Sequence, residues 1–158
     1  MALSIDIVGT HYRYPDSYVV GREKIREYAV AVKNDDQAFH DDAAAAALGY
    51  RALPAPLTFI SVFGYMAQTA FFADANIGIS DMQIVQVDQS LKFVRPIFAG
   101  DELFCDVYVD SVRQAHGTDI IVTRNVVTNQ AGDVVQEAFT TLAGRSGEGE
   151  EGFNDGSA

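Results

Sequence analysis

Residues 57–75 read "LTFISVFGYMAQTAFFADA", a helical stretch with almost no polar side. Phe59, Ile60, Val62, Phe63, Met66, Ala67, Ala70 and Phe71 are spread around the helix, so little of its surface suits water. Such a helix belongs inside a protein. It is a poor bilayer span, which needs about 20 apolar residues without polar interruption; Ser61, Gln68, Thr69 and Asp74 interrupt it. The rest of the chain must therefore supply a cover for this segment.

The cover is legible downstream, where the hydrophobic period falls from 3.6 to 2. "IVQVDQSLKFVRP" is strand-like. "DELFCDVYVDSVRQ" alternates Leu103, Cys105, Val107 and Val109 against Phe104, Asp106, Tyr108 and Asp110. "TDIIVTRNVVT" and "VVQEAFTTLAG" are two further β-rich runs, with turns marked by "AGD", "AHG" and "NQAGD". Near the start, "YRYPDSYVV" is a short strand or extended arm broken at Pro15-Asp16. The expected fold is α+β: an antiparallel sheet of about five or six strands wrapped around the long buried helix, the hotdog arrangement. Such a sheet keeps an unpaired edge, and an edge strand invites a second chain, so a dimer is expected.

Two shorter helices precede the apolar one. In "GREKIREYAVAVKN", Ile25, Tyr28, Ala29 and Val32 fall on one face, predicting an amphipathic helix over 22–33. "HDDAAAAALGY" predicts a second, capped by Asp41 or Asp42 and closed by Gly49. Pro54 and Pro56 mark an extended loop, and Pro56 suits the first turn of the apolar helix.

The 158 residues fit one domain, expected over 1–145, with a solvated acidic tail over 146–158, "SGEGEEGFNDGSA". The single cysteine, Cys105, permits no internal disulfide and suits a reducing compartment. With no basic, apolar leader in "MALSIDIVGTHYRY", the expected location is the cytoplasm. A net charge of −11 argues against nucleic acid and anionic membranes as partners.

Particular stretches resemble a known family. "LKFVRPIFAGDELFCDVYV" is similar to the strand–Pro–Gly-Asp–strand element of MaoC-like hydratases and dehydratases of the hotdog superfamily, and "APLTF" to the start of their central helix. "MALSIDIVGTHYRYPD", "REKIREYAVAV" and "VYVDSVRQAHGTDIIVT" resemble the A-type (HadA) subunits of heterodimeric (3R)-hydroxyacyl-ACP dehydratases of mycolic-acid-type fatty-acid elongation. The resemblance implies a hydro-lyase that removes water from a β-hydroxyacyl thioester carried on an acyl carrier protein. It implies a heterodimer in which a B-type subunit carries the complete catalytic motif and the A-type subunit shapes the acyl channel. No cofactor is implied. Acyl carrier proteins are acidic, so a chain of this charge would leave the docking patch to its partner; Arg22, Lys24 and Arg26 are offset by neighbouring acids.

The chemistry needs a base for the α-proton, an acid for the departing hydroxyl, and donors for the enolate-like oxygen. In the family a motif G-D-x-N-P-[IL]-H supplies the acid and base, with donors at the start of the buried helix. Here Asn34-Asp35-Asp36-Gln37-Ala38-Phe39-His40 places Asp35 and His40 on the catalytic positions, as tentative acid and base. Asn34, Gln37 and Ala38 depart from the family's Gly, Asn and Pro, so the reacting residues stand on an altered loop. The alternative is a pair of helix-end residues in water. The resemblance puts the acyl group near Pro56, Leu57, Thr58, Ser61 and Gly64. One histidine among aspartates has no metal-ligand spacing. His116 is expected at a hairpin turn, and Cys105 as a small buried hydrophobe.

Three readings compete with the subunit: a self-sufficient homodimeric hydratase using Asp35 and His40, a non-catalytic acyl-binding or assembly subunit, and a hotdog thioesterase. The last is disfavoured because Asp74 comes too late on the helix to act as nucleophile or base.

Overall fold

The expected helix and sheet are both present in a computed structural model of the chain, which describes residues 4–75 and 84–145. Strands β1 (His11–Arg13) and β2 (Tyr18–Val19) come first, then helices α1 (Arg22–Ala31), α2 (Asp42–Ala47) and α3 (Ile60–Asp74). Strands β3 (Val85–Phe93), β4 (Glu102–Ala115), β5 (Thr118–Thr128) and β6 (Val134–Arg145) follow. The six strands form one antiparallel sheet in the order β1-β4-β5-β6-β3, with β2 beside β1 on the same margin of β4. The tail over 146–158 lies outside the described residues. Among the described residues no helix is long and apolar enough to cross a membrane.

Register shifts at Val109/Ser111 in β4 and Gln86/Asp88 in β3 add residues to one strand only. Such bulges bend a sheet and increase its twist, which lets this one close over a helix. Alternate residues of β4 and β5 then point inward: Leu103, Cys105, Val107 and Val109, with Ile121 and Val127, are buried. They meet Phe59, Ile60, Phe63, Ala67 and Phe71 of the helix and the turn before it. Aromatic rings close one flank, with Tyr14 edge-on to Phe63 and Tyr12 tilted on Phe71.

Burial of α3 is one-sided. Leu57, just before it, is 65% exposed, Tyr65 70% and Met66 42%. Strand β3 lies at the opposite margin from β1 and β2 and pairs only with β6 among the described residues. It carries exposed Val85, Val87 and Phe93.

Turn chemistry explains the connections. α2 begins with Asp41 accepting from the Ala44 N–H at 2.9 Å, and ends at Gly49 with φ +87°. Gly49 N–H donates to Ala46 and Tyr50 N–H to Ala45, a Schellman closure for which glycine is the favoured residue. α1 ends the same way two residues before the expected boundary, because Lys33 adopts φ +59°. Its N–H reaches Val30 and that of Asn34 reaches Ala29. The β4–β5 hairpin turns through His116 and Gly117, both at positive φ, the geometry of a two-residue type I′ turn.

Candidate active site and acyl channel

The loop that carries Asp35 and His40 is built by its own side chains. Asn34 Oδ1 accepts from Asp36 N–H at 3.1 Å, and Asp36 Oδ1 from Ala38 N–H at 3.0 Å, capping a short 3-10 turn over Gln37–Phe39. These Asx contacts give the loop a defined course without the family's glycine and proline. Two arginines of α1 hold its far end. Arg26 Nε donates to the His40 carbonyl at 2.8 Å, and Arg22 donates to Asp42 through Nη2 at 2.6 Å. The hydrogen bond from Arg22 holds the Asp42 carboxyl below its ordinary value, against a smaller opposing effect of desolvation.

His40 is half-buried, and its Nε2 lies 2.9 Å from the Asn34 carbonyl. A carbonyl only accepts, so Nε2 carries the hydrogen and Nδ1 of a neutral ring keeps its lone pair. Asp35 is exposed. Among the described residues no hydrogen bond joins its carboxylate to the imidazole; Asp35 contributes its backbone carbonyl to Gln37 Nε2 at 3.2 Å. Asp35 and His40 therefore share a loop and do not form a bonded pair. Also among the described residues, no group of three or more His, Cys, Asp or Glu could hold a metal.

One cavity adjoins this loop and a second lies along α3. The outer one, about 420 Å³, runs from Asp36 and Phe39 past Pro56 and Leu57 to Val94 and Arg95. The inner one, about 230 Å³, lies between α3 and the sheet, under Ser61, Gly64 and Gln68 and over Gln89, Asn125 and Thr140. They are neighbours, since Gln136 lines the outer and its paired residue Val127 the inner. The five expected acyl-binding residues thus divide: Pro56 and Leu57 line the outer cavity, Ser61 and Gly64 the inner, and Thr58 neither. Tyr28 O–H engages Thr58 instead, 2.8 Å from Oγ1 and 2.9 Å from the carbonyl.

Sequence reasoning missed the sheet's contribution. Asn125, Gln136 and Thr140 are buried, and among the described residues Asn125 Oδ1 and Gln136 Nε2 have no hydrogen-bond partner. The available signal was phase. In β5 Asn125 falls in step with Ile121 and Val127, so period-2 reading alone places an amide on the inward face.

Residues 6–138 match the family described as "FAS1-like, dehydratase domain region". The chain belongs to this family. Within it, a UPF0336 protein of Mycobacterium tuberculosis is 70% identical over 158 residues, all of both chains. A chain of the C-terminally truncated HadBC (3R-hydroxyacyl-ACP dehydratase) complex of M. tuberculosis superimposes with a TM-score of 0.81. It is 49% identical, over 88% of this chain and 98% of that one. A MaoC-like dehydratase also reaches 0.81 at 39% identity, matching 90% of this chain and 43% of its own length. The fold of this FAS1-like dehydratase-region chain is the MaoC-like hotdog.

Proposed function

We propose that this chain is the A-type subunit of a cytoplasmic (3R)-hydroxyacyl-thioester dehydratase, a hydro-lyase working in a heterodimer on acyl carrier protein-bound chains in type II, mycolic-acid-type elongation. It binds the acyl group and stabilises a B-type partner that carries the complete motif. The observation that carries this reading is the 49% identity, over nearly a whole chain, to a member of a two-subunit dehydratase complex. The unpaired margin of β3 supports it, because exposed Val85, Val87 and Phe93 suit a second polypeptide. So do the two neighbouring cavities, the outer against the loop where the family places its acid and base and the inner beside α3.

The chain's own contribution to the reaction is positional in this reading. The outer cavity seats the thioester end and the inner one its continuation, while the partner moves the protons. The cations of α1 are engaged with acids, Arg22 with Asp42, Arg26 with Glu23 and Lys24 with Glu27, so the docking charge falls to the partner.

A second reading, a homodimer that dehydrates or hydrates by itself through Asp35 and His40, draws on the retained imidazole and its available Nδ1. One experiment separates the two. The chain is produced alone and with a B-type subunit, and turnover of a 3-hydroxyacyl thioester is measured with and without His40→Ala. The A-type reading expects activity only in the mixture, within about twofold after His40→Ala, since removal of a working general base costs about 100-fold or more. Turnover by the chain alone, abolished by His40→Ala, would establish the homodimer instead.

A further inference from the structure

We propose that the inner cavity is a polar subsite, which binds a neutral hydrogen-bonding group of the bound thioester rather than bare alkyl chain. The inference rests on the acyl-binding reading above and adds a specificity to it. An alkyl tunnel would be lined by aliphatic side chains. Ile60, Val127 and Ala138 supply aliphatic lining here too, but the floor also carries Asn125, Thr140 and Gln89, with Gln68 on the helix side. Asn125 is 3% exposed and Thr140 2%. Gln89 Nε2 reaches Thr140 Oγ1 at 3.4 Å, whereas Asn125 Oδ1 accepts no hydrogen bond among the described residues.

A buried amide oxygen without a donor is destabilising unless a ligand supplies one. The inward face of the strand that carries Asn125 is mixed, with Asp119, Ile121, Thr123 and Val127 buried alongside it, and Asn125 is the one of its buried polar residues that lines the cavity. Gly64 lies over it, and a Cβ there would stand 3.8 Å from Asn125 Nδ2, in ordinary contact. A side chain offering both a donor and an acceptor, next to about 230 Å³ of space, fits a group that is itself both donor and acceptor. Two parts of an acyl-pantetheine thioester meet that description, an amide of the pantetheine arm and a hydroxyl on the chain.

The test is calorimetric titration of the purified full-length chain with pantetheine, a plain medium-chain acyl-pantetheine, and acyl-pantetheines differing only in the position of one chain hydroxyl. Asn125→Leu and Thr140→Val are titrated in parallel. If the chain hydroxyl is the group, one hydroxylated probe binds the native chain about tenfold more tightly than the plain one, and Asn125→Leu erases the difference. If the amide is the group, Asn125→Leu weakens every probe about tenfold, pantetheine included. Either outcome sustains the polar subsite. Affinities indifferent to both substitutions overturn the subsite and leave the acyl-binding reading standing; no binding of any probe to the native chain overturns both. The melting temperature adds a separate check. It should hold or rise in Asn125→Leu, because an unpartnered buried polar atom is removed; a fall with unchanged affinities assigns Asn125 to the scaffold and overturns the proposal.

Discussion

At the scale of single residues, three positions carry costs or constraints that experiment can read. Lys33 holds a left-handed conformation that closes α1, where an L side chain costs about 1–2 kcal/mol. Lys33→Gly should therefore stabilise the fold by about 0.5–1 kcal/mol, seen as a higher urea midpoint, after allowance for glycine's freer unfolded chain. Cys105 is fully buried, and burial pushes its thiol from 9.0 up to about 12. Below pH 9 both folded and unfolded thiols keep their proton. Between there and about 12 only the unfolded chain releases it, so stability falls as pH rises through that window. Cys105→Ala should flatten this alkaline loss in urea titrations, and the native thiol should resist alkylation at neutral pH until the chain is unfolded. His40 shows how far single residues were legible in advance. Spacing placed Asp35 and His40 on one loop, but bonding depends on where Asn34 turns its carbonyl, a backbone detail that no residue pattern encodes.

Among elements, the clearest junction is Asp101, 2% exposed at the turn before β4. Its carboxylate accepts from Phe98 N–H at 2.8 Å, from Gln130 Nε2 at 3.1 Å and from Arg51, while its backbone carbonyl receives Val20 N–H at 2.8 Å. One side chain thus ties the segment before α3, the β3–β4 turn and the β5–β6 turn. Asp101→Ala should lower stability by about 2–4 kcal/mol in urea unfolding, since it strands several donors at once. The elements themselves were mostly readable because their signals are local: the alternation of β4 and β5, the cap and glycine of α2, the His116-Gly117 hairpin. The exposure of Leu57, Tyr65 and Met66 was not readable, because an apolar pattern cannot distinguish a face buried by its own chain from one left for another. Asn125 escaped because it shares a mixed inward face with Asp119, Ile121, Thr123 and Val127, where no apolar phase singles out a cavity-lining amide. β3 tests the partner directly. Val87→Lys places a charge on an exposed strand edge, a recognised way of preventing pairing; sedimentation should show the dimer replaced by monomer.

For the whole molecule, charge is the governing quantity. A net −11 repels an acidic carrier protein at long range, and the cations of α1 are already engaged by acids. If the partner supplies the basic docking face, KM of the mixed enzyme for carrier-bound substrate should rise with salt, while the isolated chain shows no carrier binding at low ionic strength. The match to a dehydratase family over residues 6–138 and the sheet-wrapped helix are compatible with the proposed division of labour, in which this chain receives the acyl group and its partner moves the protons. The bare flank of β3 also bears on how such a subunit is made. About every second residue along this nine-residue strand leaves its backbone amide and carbonyl unpaired among the described residues, and beside the valines these form a template for disordered stacking whenever copies outnumber companions. In the proposed heterodimer, balanced synthesis of the two chains is thus a demand that the sheet places on the cell, and overproduction of this one alone should send a larger share of it to inclusion bodies than co-production does.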